Sequence, residues 1–224
     1  MHAAMWYTAF IFSTTCHEAA HAWSASWLGD DTARREGLVT LNPLPHVMFA
    51  PLGMVFMPLL TLATSGGCFG WGQCPYSPLW ADRWPKRAAL MALAGPLANL
   101  AIAVVAGLVL RFGGQAGWFV PGGPLAVGGA NPGWQAGLAT MCFVLLILNA
   151  LLFAFNLIPL PPLDGGHFLP YIFPRASWTF VHQLEQYGPF ILILLVMTGA
   201  TRYIMGPPMA IINGFYLWLV RLLF

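Results

Sequence analysis

The sequence predicts an all-α polytopic membrane protein. Of its 224 residues, 58% are hydrophobic and only 7% are charged, whereas soluble domains carry about 25% charged residues. Apolar segments near the length of a bilayer crossing recur along the chain. We therefore expect about five to six transmembrane segments, one of them a candidate re-entrant segment, together with short β-hairpin or loop elements.

Composition also bounds the domain organisation and the partners. No soluble-like stretch is long enough to form a second domain, so residues 1–224 are expected to form a single membrane-embedded domain. The net charge of +2 is small and scattered, which argues against nucleic acid and leaves the lipid bilayer as the expected environment. The four cysteines form no metal-like pair, and we predict free thiols. The alternative is a disulfide between Cys68 and Cys74, which requires that their loop face an oxidising compartment. The oligomeric state is left open.

The first two apolar segments differ in character. Residues 3–28 form a long segment with polar residues inside it, whereas residues 47–63 are interrupted by prolines and a glycine, which disfavours a continuous helix. Between them, residues 37–43 are predicted as a short strand, because β-branched and apolar residues follow a glycine and end at a proline. Residues 65–85, rich in glycine, proline and aromatic residues, are expected to form a hairpin or a loop.

Further apolar segments follow. Residues 88–110 and 135–158 have the length and composition of membrane spans. The stretch between them, residues 112–134, is rich in glycine and proline and is predicted as an interfacial loop. A C-terminal helical hairpin is expected over about residues 187–224, and its last segment, residues 209–224, is expected to be short or tilted.

The placement of basic residues bears on the topology. Basic residues follow the first apolar segment and precede the third, as Arg34, Arg35, Arg83, Lys86 and Arg87. The positive-inside rule places both groups on the cytoplasmic side. Residues 47–63 must then enter and leave on one side, or lie along the interface. In the alternative arrangement this segment spans the bilayer and the second basic group lies outside.

The polar residues inside the first apolar segment form an H-E-x-x-H pattern, His17-Glu18-Ala19-Ala20-His21. Two histidines four residues apart share one face of a helix. In this pattern the imidazoles bind zinc and the glutamate is the general base. Such residues are costly inside a membrane and are therefore functional candidates.

A zinc hydrolase needs a third protein ligand and an open position. Asp164 is the best candidate, because it is an isolated carboxylate that follows a long apolar segment and a proline-broken stretch. The competing interpretation is a capping or turn aspartate before two glycines. His46 and His167 are more simply loop or interfacial histidines, because three ligands already suffice.

Three motifs occur in order along the chain: His17-Glu18-Ala19-Ala20-His21, Ala94-Gly95-Pro96-Leu97-Ala98-Asn99, and Asn156-Leu157-Ile158-Pro159-Leu160-Pro161-Pro162-Leu163-Asp164-Gly165-Gly166. Their combination resembles the site-2 protease family of intramembrane zinc metalloproteases, in its compact prokaryotic form without a PDZ domain. The resemblance covers about residues 10–170, and the catalytic core is expected over about residues 3–170.

The resemblance implies one Zn²⁺ per chain and Glu18 as catalytic base. The implied zinc ligands are His17, His21 and Asp164. The resemblance further implies that Asn99 and Asn156 assist near the substrate or the oxyanion. Each asparagine also has a structural explanation: Asn99 as a hydrogen-bonding residue between helices, and Asn156 as a partner of backbone groups freed by the proline that follows.

The implied function is an intramembrane zinc endopeptidase that cleaves a peptide bond within or near a transmembrane helix of a membrane-protein substrate. The expected location is the inner membrane of a prokaryote, with the active site toward the cytoplasm. One alternative is a catalytically silent homologue that binds membrane segments as an adaptor, against which the intact Glu18 argues. Another is a metal transporter, which predicts ionisable residues in several helices.

A substrate helix hides its amides in its own hydrogen bonds and must unwind before cleavage. An exposed strand edge would hold the unwound substrate by β-addition. The candidate edges are residues 37–41 and residues 66–76.

Overall fold

The computed structural model describes residues 2–65, 67–118 and 134–169, together with isolated positions between 183 and 214. Every regular element in these residues is helical. The α-helices are α1 (His2–Leu28), α2 (Thr32–Arg35), α3 (Pro43–Phe49), α4 (Met57–Ser65), α5 (Pro78–Arg83), α6 (Pro85–Gln115) and α7 (Trp134–Asn156). A π-helical turn spans Leu52–Phe56 and a 3₁₀-helix spans Asp164–Phe168. The all-helical class is confirmed for this part of the chain.

Two described helices, α6 and α7, are long and apolar enough to cross a membrane. A third candidate exists if the bent pair Pro43–Phe49 and Leu52–Thr64 is one span. Helix α1 has 27 residues and is about 40 Å long. It is not among the candidate spans, because its polar residues make it less hydrophobic than α6 and α7. The described residues therefore support two or three spans by length and composition, fewer than the five to six expected.

Two predictions reach beyond the described residues. Most of the C-terminal hairpin expected over residues 187–224 lies outside them, and so do residues 119–133 of the predicted interfacial loop. At the near edge of that loop, α6 continues to Gln115, five residues past the predicted end of the apolar segment.

The strand predicted over residues 37–43 is wrong. Gly37 adopts a positive φ of 73° and closes a turn after α2, while Pro43 begins α3. Asn42 caps this helix, because its side-chain oxygen accepts a hydrogen bond from the Leu44 amide at 3.1 Å. An asparagine followed by proline is a helix-start signal, and here it outweighs the preference of the β-branched residues for strands.

The helix break predicted over residues 47–63 is confirmed. The chain bends by 108° between Pro43–Phe49 and Leu52–Thr64. Arg87 Nη1 donates a hydrogen bond to the Leu28 carbonyl at 3.0 Å, so α6 begins beside the C-terminal end of α1. The bent pair between them is either a broken span or a re-entrant loop.

Residues 67–77 form a loop without regular secondary structure, which confirms the loop alternative for this part of the predicted stretch. The prediction is wrong for Pro78–Arg83, which form helix α5. The loop is fastened at its end by Asp30, which follows α1. The Asp30 carboxylate accepts hydrogen bonds from the Ser77 amide at 2.8 Å and from the Thr32 amide and hydroxyl at 3.1 and 2.6 Å. Ser77 then caps α5 through the Trp80 amide.

Three helices form the scaffold, with α1, α6 and α7 packed against one another. The buried residues of α6 are mostly alanine and glycine. Ala103 and Ala106 of α6 pack with Cys142 and Leu146 of α7, and α1 meets α7 through a second apolar cluster. Small side chains let helix backbones approach closely, so the polar residues on the inner face of α1 are enclosed by its two neighbours.

Replacing Asp30 by alanine is expected to lower the free energy of unfolding by about 2–4 kcal/mol, because three part-buried donors lose their charged acceptor. Asp30 is only 5% exposed. The adjacent Asp31 is the matched control, since its side chain is 54% exposed and Asp31→Ala should change stability by less than about 0.5 kcal/mol. Thermal unfolding in detergent measures both, and equal midpoints would contradict the role given to Asp30.

Candidate metal centre

Helix α1 carries the H-E-x-x-H residues deep in the scaffold. His17, Glu18 and His21 are 7%, 7% and 5% exposed. The two imidazoles lie one helical turn apart, with their ring centroids 4.6 Å from each other. Their Nε2 atoms approach to 3.0 Å, so both rings direct the same nitrogen to one point.

Asp164, at the first position of the 3₁₀-helix, comes to the same point. Its Oδ2 lies 3.1 Å from His17 Nε2, and its Oδ1 lies 3.2 Å from His21 Nε2. The ligand atoms of the three residues all lie within 4.8 Å of one another. Tetrahedral zinc ligands at about 2 Å from the metal stand about 3.3 Å apart, so this spacing fits a zinc ion.

Hydrogen bonds behind the rings determine which ring nitrogen is free. His21 Nδ1 lies 2.8 Å from the Met91 carbonyl, which can only accept, so Nδ1 carries the proton. His17 Nδ1 lies 2.6 Å from Asn99 Oδ1 and donates in the same way. Both Nε2 atoms therefore present lone pairs, in the arrangement typical of metal-ligating histidines.

The chemistry of this donor set favours a cation. Two imidazole lone pairs and a carboxylate converge at 3.0–3.2 Å, and Asp164 Oδ2 is buried without a hydrogen-bond donor. Acceptors at these distances repel one another in a low-dielectric interior. A divalent cation between them removes the repulsion. The residues present therefore fit Zn²⁺.

Glu18 stands beside this cluster but does not belong to it. The loop over residues 67–77 passes directly against it, so that a Cβ atom built on Gly72 would collide with the Glu18 carboxylate. A carboxylate that is close to the metal ligands and is not itself a ligand is suited to proton transfer.

The two sequence-predicted asparagines occupy different places. Asn99, on α6, is fully buried at 0% exposure and lies behind His17. Asn156, the last residue of α7, donates from Nδ2 to the Leu152 carbonyl at 3.0 Å. No contact between Asn156 and the ligand cluster is found in the part of the chain that the structure describes.

The remaining candidates lie outside the ligand cluster. His46 is buried, with Nε2 2.9 Å from the Thr40 carbonyl, and His167 Nε2 lies 3.2 Å from the Tyr76 hydroxyl. The prediction of free thiols is confirmed for all four cysteines. Burial, with the nearby charge of Glu18, raises the pKa of the Cys74 thiol well above its ordinary value.

Sequence reasoning missed several groups around the site. The Met91 carbonyl and Asn149 take part in its hydrogen bonding. Gly95 admits the imidazoles, because a Cβ atom there would overlap Nε2 of both His17 and His21. A signal was available for Asn149, since an asparagine within a membrane span is a functional candidate. No local signal marks the Met91 carbonyl.

Two histidines and a carboxylate that fit zinc, with a neighbouring free glutamate, define a zinc hydrolase site of the H-E-x-x-H class. Comparison with known proteins gives the family: the profile of Peptidase family M50 matches residues 5–198. The chain belongs to peptidase family M50, the site-2 protease family, and it is a zinc metalloendopeptidase and an integral membrane protein.

Similar proteins are named as candidate zinc metalloproteases. YwhC of Bacillus subtilis (strain 168) is 32% identical over 198 residues, covering 88% of this chain and 82% of its own. Rip2 of Mycolicibacterium smegmatis is 29% identical over 192 residues, covering 85% of this chain and 66% of its own. Rip2 of Mycobacterium tuberculosis (strain H37Rv) is 28% identical over 198 residues, covering 88% of this chain and 68% of its own. No solved structure gives a significant match.

Substituting Gly95 by alanine should abolish tight zinc binding, because the added methyl group occupies the space of Nε2 of both His17 and His21. Metal content after purification, measured by plasma emission spectrometry, should fall from one zinc per chain to near zero. Gly137→Ala in α7 is the matched control, since nothing lies within 4 Å of a Cβ atom there. Full zinc occupancy in Gly95→Ala would contradict this packing.

Proposed function

We propose that this protein is an intramembrane zinc endopeptidase, which cleaves a peptide bond within or near a transmembrane helix of a membrane-protein substrate. The observation that carries the proposal is the position of the metal centre. Its two histidines lie within α1, enclosed by the apolar helices α6 and α7. A peptide bond must therefore enter the helical scaffold to reach the site.

The roles of the residues follow from their chemistry. His17, His21 and Asp164 hold the zinc ion, which when bound polarises the scissile carbonyl and acidifies water. Glu18 takes a proton from the attacking water and delivers it to the leaving amine. Glu18 can gain and lose this proton while the zinc ligands stay in place, because Glu18 is not itself a ligand.

Asn99 and Asn156 are proposed to have separate roles. The Asn99 oxygen accepts from His17 and its nitrogen donates to Asn149 at 2.8 Å, which supports a positioning role for Asn99. Asn156 is half-buried and close in sequence to Asp164, so it is the better candidate for stabilising an oxyanion.

We propose that the active site is reached from the cytoplasmic face of a prokaryotic inner membrane. The hydrogen bond from Arg87 to Leu28 supports this orientation, because it brings the basic start of α6 to the same side as the basic residues that follow α1. The positive-inside rule assigns that side to the cytoplasm. His21 is seven residues from Leu28, or about 10 Å along the helix.

The loop over residues 67–77 is proposed as the edge that holds an unwound substrate. Exposure alternates along residues 67–73, as in an extended strand. The Trp71 amide bonds to the Gly53 carbonyl at 3.1 Å; within the described ranges, the amides of Gly72, Gln73 and Cys74 have no such partner. The other candidate edge, residues 37–41, forms a turn and bends instead.

Replacing Glu18 by glutamine should retain one zinc per chain and reduce cleavage by at least 100-fold, because the general base is lost while the ligands stay. Mass spectrometry of cell membranes should then show a membrane protein that accumulates uncut. Glu36→Gln, at an exposed position, is the control and should behave as wild type. Cleavage that survives in Glu18→Gln would exclude the proposed base, and zinc without cleavage in wild type would favour the silent-adaptor alternative.

The proposed edge is tested by replacing Gln73 with proline, which removes an amide donor without touching the ligands. Cleavage of a substrate that accumulates in Glu18→Gln membranes should fall at least tenfold, at unchanged zinc content. Gln73→Ala removes the side chain but keeps the amide, so its activity should stay near wild type. Equal activity of the proline and alanine variants would show that the backbone of this loop does not hold the substrate.

A further inference from the structure

A chain of buried polar side chains runs behind the metal centre and joins three helices. His17 Nδ1 lies 2.6 Å from Asn99 Oδ1. Asn99 Nδ2 donates to Asn149 Oδ1 at 2.8 Å, and Asn149 Nδ2 donates to Ser13 Oγ at 2.8 Å. Ser13, Asn99 and Asn149 are all 0% exposed. Helices α1, α6 and α7 are thus linked by side chains that water does not reach.

A carboxamide has a donor end and an acceptor end, so such a chain has a direction. The direction is set at Asn149, whose Nδ2 also lies 2.8 Å from the Leu145 carbonyl. A backbone carbonyl only accepts, so the NH₂ group of Asn149 must point toward it. The oxygen of Asn149 then faces Asn99 and can only accept from it.

The orientation of Asn149 determines the orientation of Asn99 and, through it, the tautomer of His17. Because Asn149 presents an oxygen, Asn99 must present its NH₂ group to Asn149 and its oxygen to His17. His17 must then carry its proton on Nδ1, which leaves Nε2 as a lone pair directed at Asp164 and His21. An inverted Asn99 would present a donor to His17 and shift the proton to Nε2, the atom that binds the metal.

We propose that Asn149 is a positioning residue for the metal centre, which through Asn99 holds His17 in the tautomer and orientation that bind zinc. The proposal rests on the proposed function only through the zinc site, and it makes no use of the substrate. Ser13 is not required for this positioning, because the Leu145 carbonyl alone fixes the orientation of the Asn149 carboxamide.

The alternative is that Asn149 only joins α7 to its neighbours, as asparagines between membrane helices commonly do. In that case its loss lowers stability and leaves the metal centre of the folded protein unchanged. The affinity for the metal ion and its spectrum, rather than activity, therefore distinguish a positioning role of Asn149 from a purely structural one.

The test measures zinc affinity by chelator competition, and the visible spectrum of the Co²⁺-substituted protein, for Asn149→Leu. This variant keeps the approximate volume and removes both polar atoms. Zinc affinity should fall about tenfold, as losses behind a metal ligand do, and the Co²⁺ bands should shift. Thr140→Val is the matched control, because Thr140 makes a similar bond to the Ala136 carbonyl of the same helix, and it should match wild type in both measurements.

A rescue variant tests whether Asn149 acts through Asn99. Asn99→Asp offers His17 an acceptor whichever way its side chain turns, so adding it to Asn149→Leu should recover most of the lost zinc affinity. Ser13→Ala should stay within about twofold of wild type, since the Leu145 carbonyl remains. If Asn149→Leu fails to fold, Asn149→Ala takes its place with the same expectations.

Two results would overturn the proposal. One is zinc affinity in folded Asn149→Leu or Asn149→Ala within twofold of wild type, with unchanged Co²⁺ bands. The other is an equal loss of zinc affinity in Asn149→Leu and in the double variant Asn149→Leu with Asn99→Asp. Failure of the proposed function looks different, because wild type would then bind no zinc or would bind zinc without cleaving.

Discussion

The convergence of three acceptor groups in an apolar scaffold is the constraint on which the rest of the structure depends. Lone pairs of His17, His21 and Asp164 meet at 3.0–3.2 Å, an arrangement that costs several kcal/mol in a low-dielectric interior unless a cation joins them. The chain must deliver the aspartate from a point far along the sequence. It does so by ending α7 at Asn156 and folding back on itself: a Cβ atom at Gly165 would collide with the Ile158 carbonyl.

Close packing around the metal centre explains the composition of the surrounding helices. Gly95 leaves room for the two imidazoles, and Gly72 leaves room for the Glu18 carboxylate. Alanines at Ala103 and Ala106 bring α6 against α7. The approach of these backbones also brings Asn99 and Asn149 within hydrogen-bonding distance. The small residues and the buried amides are thus parts of one arrangement, in which tight helix contact makes the polar network satisfiable.

The parts of the site that were predictable are those encoded locally. His17 and His21 are four residues apart, so a helix alone brings them together, and Asp164 is conspicuous as an isolated carboxylate beside a broken span. Asn149 was not predictable as a partner of Asn99, because fifty residues separate them and only the packing of α6 on α7 pairs their amides. The strand expected over residues 37–43 failed for a local reason: the Asn42-Pro43 helix start competes with the β-branched residues before it. The expected count of five to six spans is not reached within the described residues, because the C-terminal segments lie mostly outside them and because the polar residues of the site lower the hydropathy of α1, which is otherwise long enough to span a bilayer.

The structure also links the Glu18 carboxylate, the proposed general base, to the loop that is proposed to hold the substrate. Residues 67–77 run against Glu18 at Gly72 and are fastened near their ends, through Thr61 to the Phe69 amide at 3.0 Å and through Asp30 to the Ser77 amide. Extended backbone inside a membrane protein is stable only where protein or a partner strand satisfies its amides. In the proposed mechanism, a substrate strand laid along this loop would supply those partners and, by the same geometry, would bring its own peptide bond to the side of Glu18. Recognition of unwound backbone and delivery of the scissile bond would then both follow from one contact.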